Sequence, residues 1–88
     1  MKLLSTLIIF TAAVSACSDP AFRCKNPQGT KAGDYSKTAE ICAEVGNGSS
    51  MCRCYGAAED YCYLANGANV KTFSDYCKAD NPWYPDSC

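Results

Sequence analysis

SMCRCYGAAEDYCYL, residues 50–64, decides the fold. Both halves alternate, and alternation is the period of a β-strand. In Ser50–Tyr55, Met51, Arg53 and Tyr55 point one way while Cys52 and Cys54 point the other. In Glu59–Leu64, Tyr61 and Tyr63 share one face and Cys62 and Leu64 the opposite one. Gly56-Ala57-Ala58 connects them, so the stretch reads as an antiparallel hairpin. Each strand offers cysteines to one side, and elements carrying matching cysteines must cover that side.

Such elements lie on both flanks. Upstream, Ala21-Phe22-Arg23-Cys24-Lys25 is a short alternating strand with Phe22 and Cys24 on one face. Asn26-Pro27-Gln28-Gly29 ends it in a turn. Asp34-Tyr35-Ser36 then starts a helix, with Ser36 expected as N-cap. Thr38, Ile41, Cys42 and Val45 follow at i, i+3, i+4 and i+7, and Gly46 stands where a left-handed C-terminal residue belongs. Downstream, Asn66-Gly67 closes the third strand. Asn69 is the expected cap of a second helix whose buried stripe is Val70, Phe73 and Cys77. Asn81-Pro82-Trp83-Tyr84-Pro85 is extended, and its two prolines restrict it to an edge strand or a strapped tail.

The order is strand, helix, strand, strand, helix, strand. It predicts an α+β fold: a split βαβ (βαββαβ, ferredoxin-like) two-layer sandwich, stapled by four disulfides. In that arrangement Cys24, Cys52, Cys54 and Cys62 face the helices, and Cys42 and Cys77 sit on the stripes that face the sheet. The last strand lies antiparallel to the first, so the chain ends meet and Cys17–Cys88 is a reasonable bridge. The end of the first helix lies near the start of the second strand, which favours Cys42–Cys52. Cys24, Cys54, Cys62 and Cys77 stay open, since eight cysteines allow 105 pairings.

Residues 1–16 are expected to be a secretory signal peptide, leaving residues 17–88 as a single disulfide-rich domain. Met1-Lys2 is a short basic start, Leu3–Val14 is largely apolar, and Val14-Ser15-Ala16 puts small residues before a cut after Ala16. The run is too short to span a bilayer, so no stable membrane insertion is expected. Val-Ser-Ala-Cys also fits a lipobox, but lipidating Cys17 would leave seven cysteines and one unpaired thiol in an oxidising compartment. Losing Lys2 takes eight basic residues to seven against nine acidic ones, moving the net charge from −1 to −2. That argues against nucleic acid as a partner. Eight cysteines in so short a chain is the density of a disulfide scaffold, in which each bridge contributes about 2–4 kcal/mol.

The chain has no histidine, which removes Cys₂His₂ zinc sites and the Ser-His and Cys-His catalytic pairs. Cys52 and Cys54 are closer together than structural zinc clips usually allow, and no reactive C-x-x-C pair is present, so neither a metal nor a cofactor is expected. Glu59, Asp60, Asp75, Asp80 and Asp86 read as solvated surface, and no catalytic residue is assigned. The aromatics are the binding candidates. Tyr55, Tyr61 and Tyr63 fall on the face opposite the cysteines, with Trp83 and Tyr84 in the tail. Either they form an open contact surface, or the tail folds over them and makes a second small core. Asn47-Gly48-Ser49 is either a glycosylation sequon or a plain turn.

Three motifs together resemble a known family. Cys42-Ala43-Glu44-Val45-Gly46, Cys52-Arg53-Cys54 and Phe73-Ser74-Asp75-Tyr76-Cys77 are similar to the α subunit of the virally encoded corn-smut killer toxin and to the fungal secreted effectors grouped with it. The resemblance implies two helices on a four-stranded sheet and carries over no catalytic residues. The expectation is therefore a secreted, non-enzymatic effector-type protein, a monomer that binds a host protein or glycan. Killer-toxin-like action on competing microbes and inhibition of a secreted hydrolase are the alternatives.

Overall fold

The computed structural model describes residues 15–88; most of the leader read over 1–16 lies outside the described residues. The elements are β1 (Ala21–Lys25), α1 (Lys31–Val45), β2 (Ser50–Cys54), β3 (Glu59–Tyr63), α2 (Gly67–Lys78) and β4 (Tyr84–Ser87). The four strands form one antiparallel sheet in the order β2-β3-β1-β4. This is the α+β split βαβ arrangement expected from the element order.

Both helices lie on one face, because their stripes carry the apolar residues. Ile41, Cys42 and Val45 of α1 meet Phe73 and Cys77 of α2, over Cys24, Cys62 and Leu64 from the sheet side. Two disulfides run through this core, Cys24–Cys77 and Cys42–Cys62. Each ties a central strand to one helix. Thr38 belongs to the same stripe and is fully buried, and its hydroxyl needs a partner there. The pairing of β1 with β3 covers only Ala21 and Phe22. Further along β1, the Cys24 N–H donates to Thr38 Oγ1 at 2.9 Å.

Both helices begin earlier than the caps read from the sequence. Thr30 caps α1: its backbone is extended and its Oγ1 accepts the Gly33 N–H. Ser36 lies inside the helix. Asp34, in the first turn, is buried and accepts the Asn26 N–H at 3.1 Å, which ties the β1–α1 turn to the helix start. Asn66 caps α2 through the Asn69 N–H. Asn69 is itself buried and donates its Nδ2 to the Asn47 carbonyl at 3.1 Å. The cap lies six residues upstream of the expected one in α1 and three upstream in α2, in each case with a side-chain oxygen accepting the N–H three residues on.

The second core corrects the expected facing of Cys52 and Cys54. The turn Tyr55–Ala58 sets Cys54 opposite Glu59, so Cys52 lies opposite Tyr61 and Met51 opposite Cys62. Residues directly opposite share a face. Cys52 and Cys54 therefore point away from the helices, and Met51 points toward them. A one-residue change of register exchanges the two faces, and the register was not readable from the alternation. Cys52, Cys54, Ala21 and Tyr61 form a buried cluster on the far side of the sheet.

The disulfides follow from that geometry, and both guessed pairs are overturned. Cys17 bonds Cys52, not Cys88, because the segment before β1 runs alongside β2. Cys42 bonds Cys62, not Cys52, because Cys62 is the strand cysteine that faces α1. Cys88 follows β4 and closes over the far face onto Cys54. All eight cysteines are paired. Among the described residues no helix is long and apolar enough to cross a membrane.

Candidate binding site

The expected aromatic surface is divided by the fold. Tyr61 is 2 % exposed and lies in the far-side core. Its hydroxyl donates to Asp86 Oδ2 at 3.3 Å, and the Arg23 guanidinium stands 5.0 Å from its ring centre. Arg23 in turn donates to Asp86 at 2.8 Å and pairs with Glu59, so one cation joins β3, β1 and β4 across this face. Burial pushes the Tyr61 phenol up to about 12, and the adjacent Arg23 charge opposes that rise.

The other four candidates go separate ways. Tyr63 is half-buried against the far-side core, and Tyr55 is 70 % exposed on the β2–β3 turn. Strand alternation sends neighbours Trp83 and Tyr84 to opposite sides. Trp83 packs against the helix-side core, with Lys37 Nζ 5.6 Å from its ring, and Tyr84 stays partly exposed on β4. The tail reaches the far face through Asp86 and the Cys88 bridge without adding an aromatic to its core, and of the five candidate aromatics only Tyr61 is fully buried there. Asn47 is exposed in the α1–β2 turn with φ 49°, and Ser49 Oγ donates to the Cys42 carbonyl at 3.0 Å.

Two adjoining clefts form instead around Tyr35, a residue outside the sequence-based candidates. The first, about 480 Å³, runs along the outer edge of β2 between Tyr35, Ser50, Met51, Asp60 and Tyr63, with Ser15 and Ala16 in its wall. The second, about 410 Å³, lies between the start of α1 and the β2–β3 hairpin and is lined by Arg23, Lys31, Asp34, Arg53, Glu59 and Asp60. Tyr35 and Asp60 belong to both. Tyr35 is 48 % exposed. It stands beside the buried Asp34 in the first turns of α1, three residues before Thr38 and seven before Cys42, at the exposed end of the stripe. An aromatic at the stripe's N-terminal end, where the helix runs past the sheet residues that cover it, is the available signal.

The second cleft is charge-balanced. Lys25 Nζ lies 3.7 Å from Asp34, Arg23 and Lys31 flank Glu59, and Arg53 Nε lies 3.0 Å from Asp60 Oδ1. The Arg53 guanidinium also donates to the Ala58 carbonyl at 2.8 Å. Asp60 Oδ1 is buried and receives no hydrogen bond, since the Arg53 N–H is not aimed at it. A polar partner approaching Tyr35 therefore meets paired charges of both signs. No protein-family model, curated protein or solved structure matches the chain.

Proposed function

We propose that this small, disulfide-stapled protein is a secreted, non-enzymatic effector-type protein that binds a host extracellular or host-cell molecule. One observation carries the reading. Two adjoining clefts meet at the exposed Tyr35, on a scaffold in which four disulfides anchor every strand except β4 itself and both helices. The Cys54–Cys88 bridge holds the end just beyond β4. Such a platform presents its side chains already ordered, so little conformational entropy is lost when a partner docks. An amphipathic tyrosine with charges of both signs around it suits a protein or glycan surface. The signal-peptide pattern and the resemblance to fungal effectors supply the extracellular setting.

The test is capture on immobilised mature protein from host extracellular fluid, compared with Tyr35→Ala and Arg53→Glu variants of unchanged circular dichroism. A partner retained by the native protein and lost from both variants supports the reading. So does reduced host colonisation after deletion of the gene. Equal retention by all three proteins, together with normal colonisation by the deletion strain, would remove it.

A further inference from the structure

The outer edge of β2 is covered by the chain itself. Ser15–Cys17 runs parallel to it: the Arg53 N–H donates to the Ser15 carbonyl at 2.8 Å, and the Cys17 N–H donates to the Arg53 carbonyl at 3.0 Å. These two bonds flank Ala16, and the second is made by the N–H of the Ala16–Cys17 peptide link itself. This inference rests on the secreted reading above, in which that link is the one cut. Cleavage leaves Cys17 in place, because its sulfur is bonded to Cys52. It removes Ser15 and Ala16, and with them the acceptor of the Arg53 N–H and part of the wall of the first cleft. It also creates an α-ammonium at Cys17, next to the vacated positions.

We propose that the mature chain uses this slot to capture the C-terminal segment of another polypeptide. The guest lies extended and parallel to β2. Its penultimate carbonyl accepts the Arg53 N–H where Ser15 did, and its terminal carboxylate faces the Cys17 α-ammonium across the position of the broken bond. Strand addition to an open sheet edge supplies backbone hydrogen bonds, and pockets beside the edge supply side-chain preference. Here the adjacent cleft offers Tyr35, Met51 and Tyr63. The ammonium fixes the guest's direction, because an internal segment brings no carboxylate to that point.

The probe is the acetylated peptide Ala-Ala-Val-Ser-Ala with a free carboxylate, the sequence of residues 12–16. It is titrated into ¹⁵N-labelled secreted protein, whose intact mass first shows where it starts. The expected result is a start at Cys17 and a saturable shift of the Arg53 amide with slowed hydrogen exchange. The C-terminal amide form of the peptide should bind more weakly, by up to about fivefold, the reach of one exposed ion pair. A chain beginning at Ser15 should fill its own slot and not respond. A start at Cys17 with an unresponsive Arg53 amide overturns the inference alone, as does an equal response from the chain that keeps Ser15 and Ala16. A start elsewhere overturns the inference and the leader reading together.

Discussion

Thr38→Val tests how α1 is joined to the sheet. Thr38 is 0 % exposed, and so is Cys24, whose N–H it accepts at 2.9 Å. Valine keeps the shape of the side chain and removes the acceptor. A buried donor left unsatisfied costs about 1–3 kcal/mol. The methyl that replaces the hydroxyl returns about 0.8 kcal/mol of transfer free energy. The net destabilisation should be about 0.2–2 kcal/mol. With a guanidinium slope of about 2 kcal/mol/M, the unfolding midpoint should fall by roughly 0.1–1 M at unchanged slope. The assay is guanidinium unfolding with disulfides intact, followed by Trp83 fluorescence. Hydrogen exchange at the Cys24 amide reports on the bond itself. Thr38→Ser keeps the hydroxyl and should keep that amide protected, although it loses a methyl group. A Thr38→Val protein as stable as the native one, with Cys24 still protected, would refute this account of the buried threonine.

Two further outcomes follow from the far face and the hairpin. The Tyr61 phenol is held at about 12 by burial, above its ordinary value of 10.0. The unfolded chain releases this proton first, so the contribution is fully present below pH 10 and is lost as pH rises from about 10 to about 12, by up to about 3 kcal/mol. Absorbance at 295 nm should show one of the six tyrosines ionising only near pH 12, and Tyr61→Phe should remove that step; a native titration complete by pH 11 would contradict it. Ala58 has φ 55° in the β2–β3 turn, where a Cβ is strained. Ala58→Gly should therefore raise stability by about 0.5–1 kcal/mol in the same denaturant assay, and a loss of stability would show that the turn is not the one described.

The element order and the helix stripes were legible because each rests on a local period. Thr38, Ile41, Cys42 and Val45 are buried as their spacing requires, and Phe73 and Cys77 likewise. The assignment of Cys52 and Cys54 to a face was not legible, because it depends on which residue of β3 stands opposite. That is set by the geometry of Tyr55–Ala58, where a non-glycine residue takes a positive φ. The disulfide map inherits the same dependence. Once Cys52 and Cys54 turn outward, Cys62 is left for Cys42, and the two chain ends close over the far face separately. The clefts were hidden for a related reason. Tyr35, Asp60 and Arg53 come from three different elements, and no local pattern brings them together. Tyr61 and Tyr63 do share a face, as the alternation in β3 requires, and that face is a small core built on Tyr61.

The covalent map is the most direct measurement. Non-reducing proteolysis of the native protein, with the linked peptides identified by mass, should yield Cys17–Cys52, Cys24–Cys77, Cys42–Cys62 and Cys54–Cys88 and no alkylatable thiol. A peptide joining Cys17 to Cys88 or Cys42 to Cys52, or any free cysteine, would contradict the two-core sandwich and the clefts that depend on it.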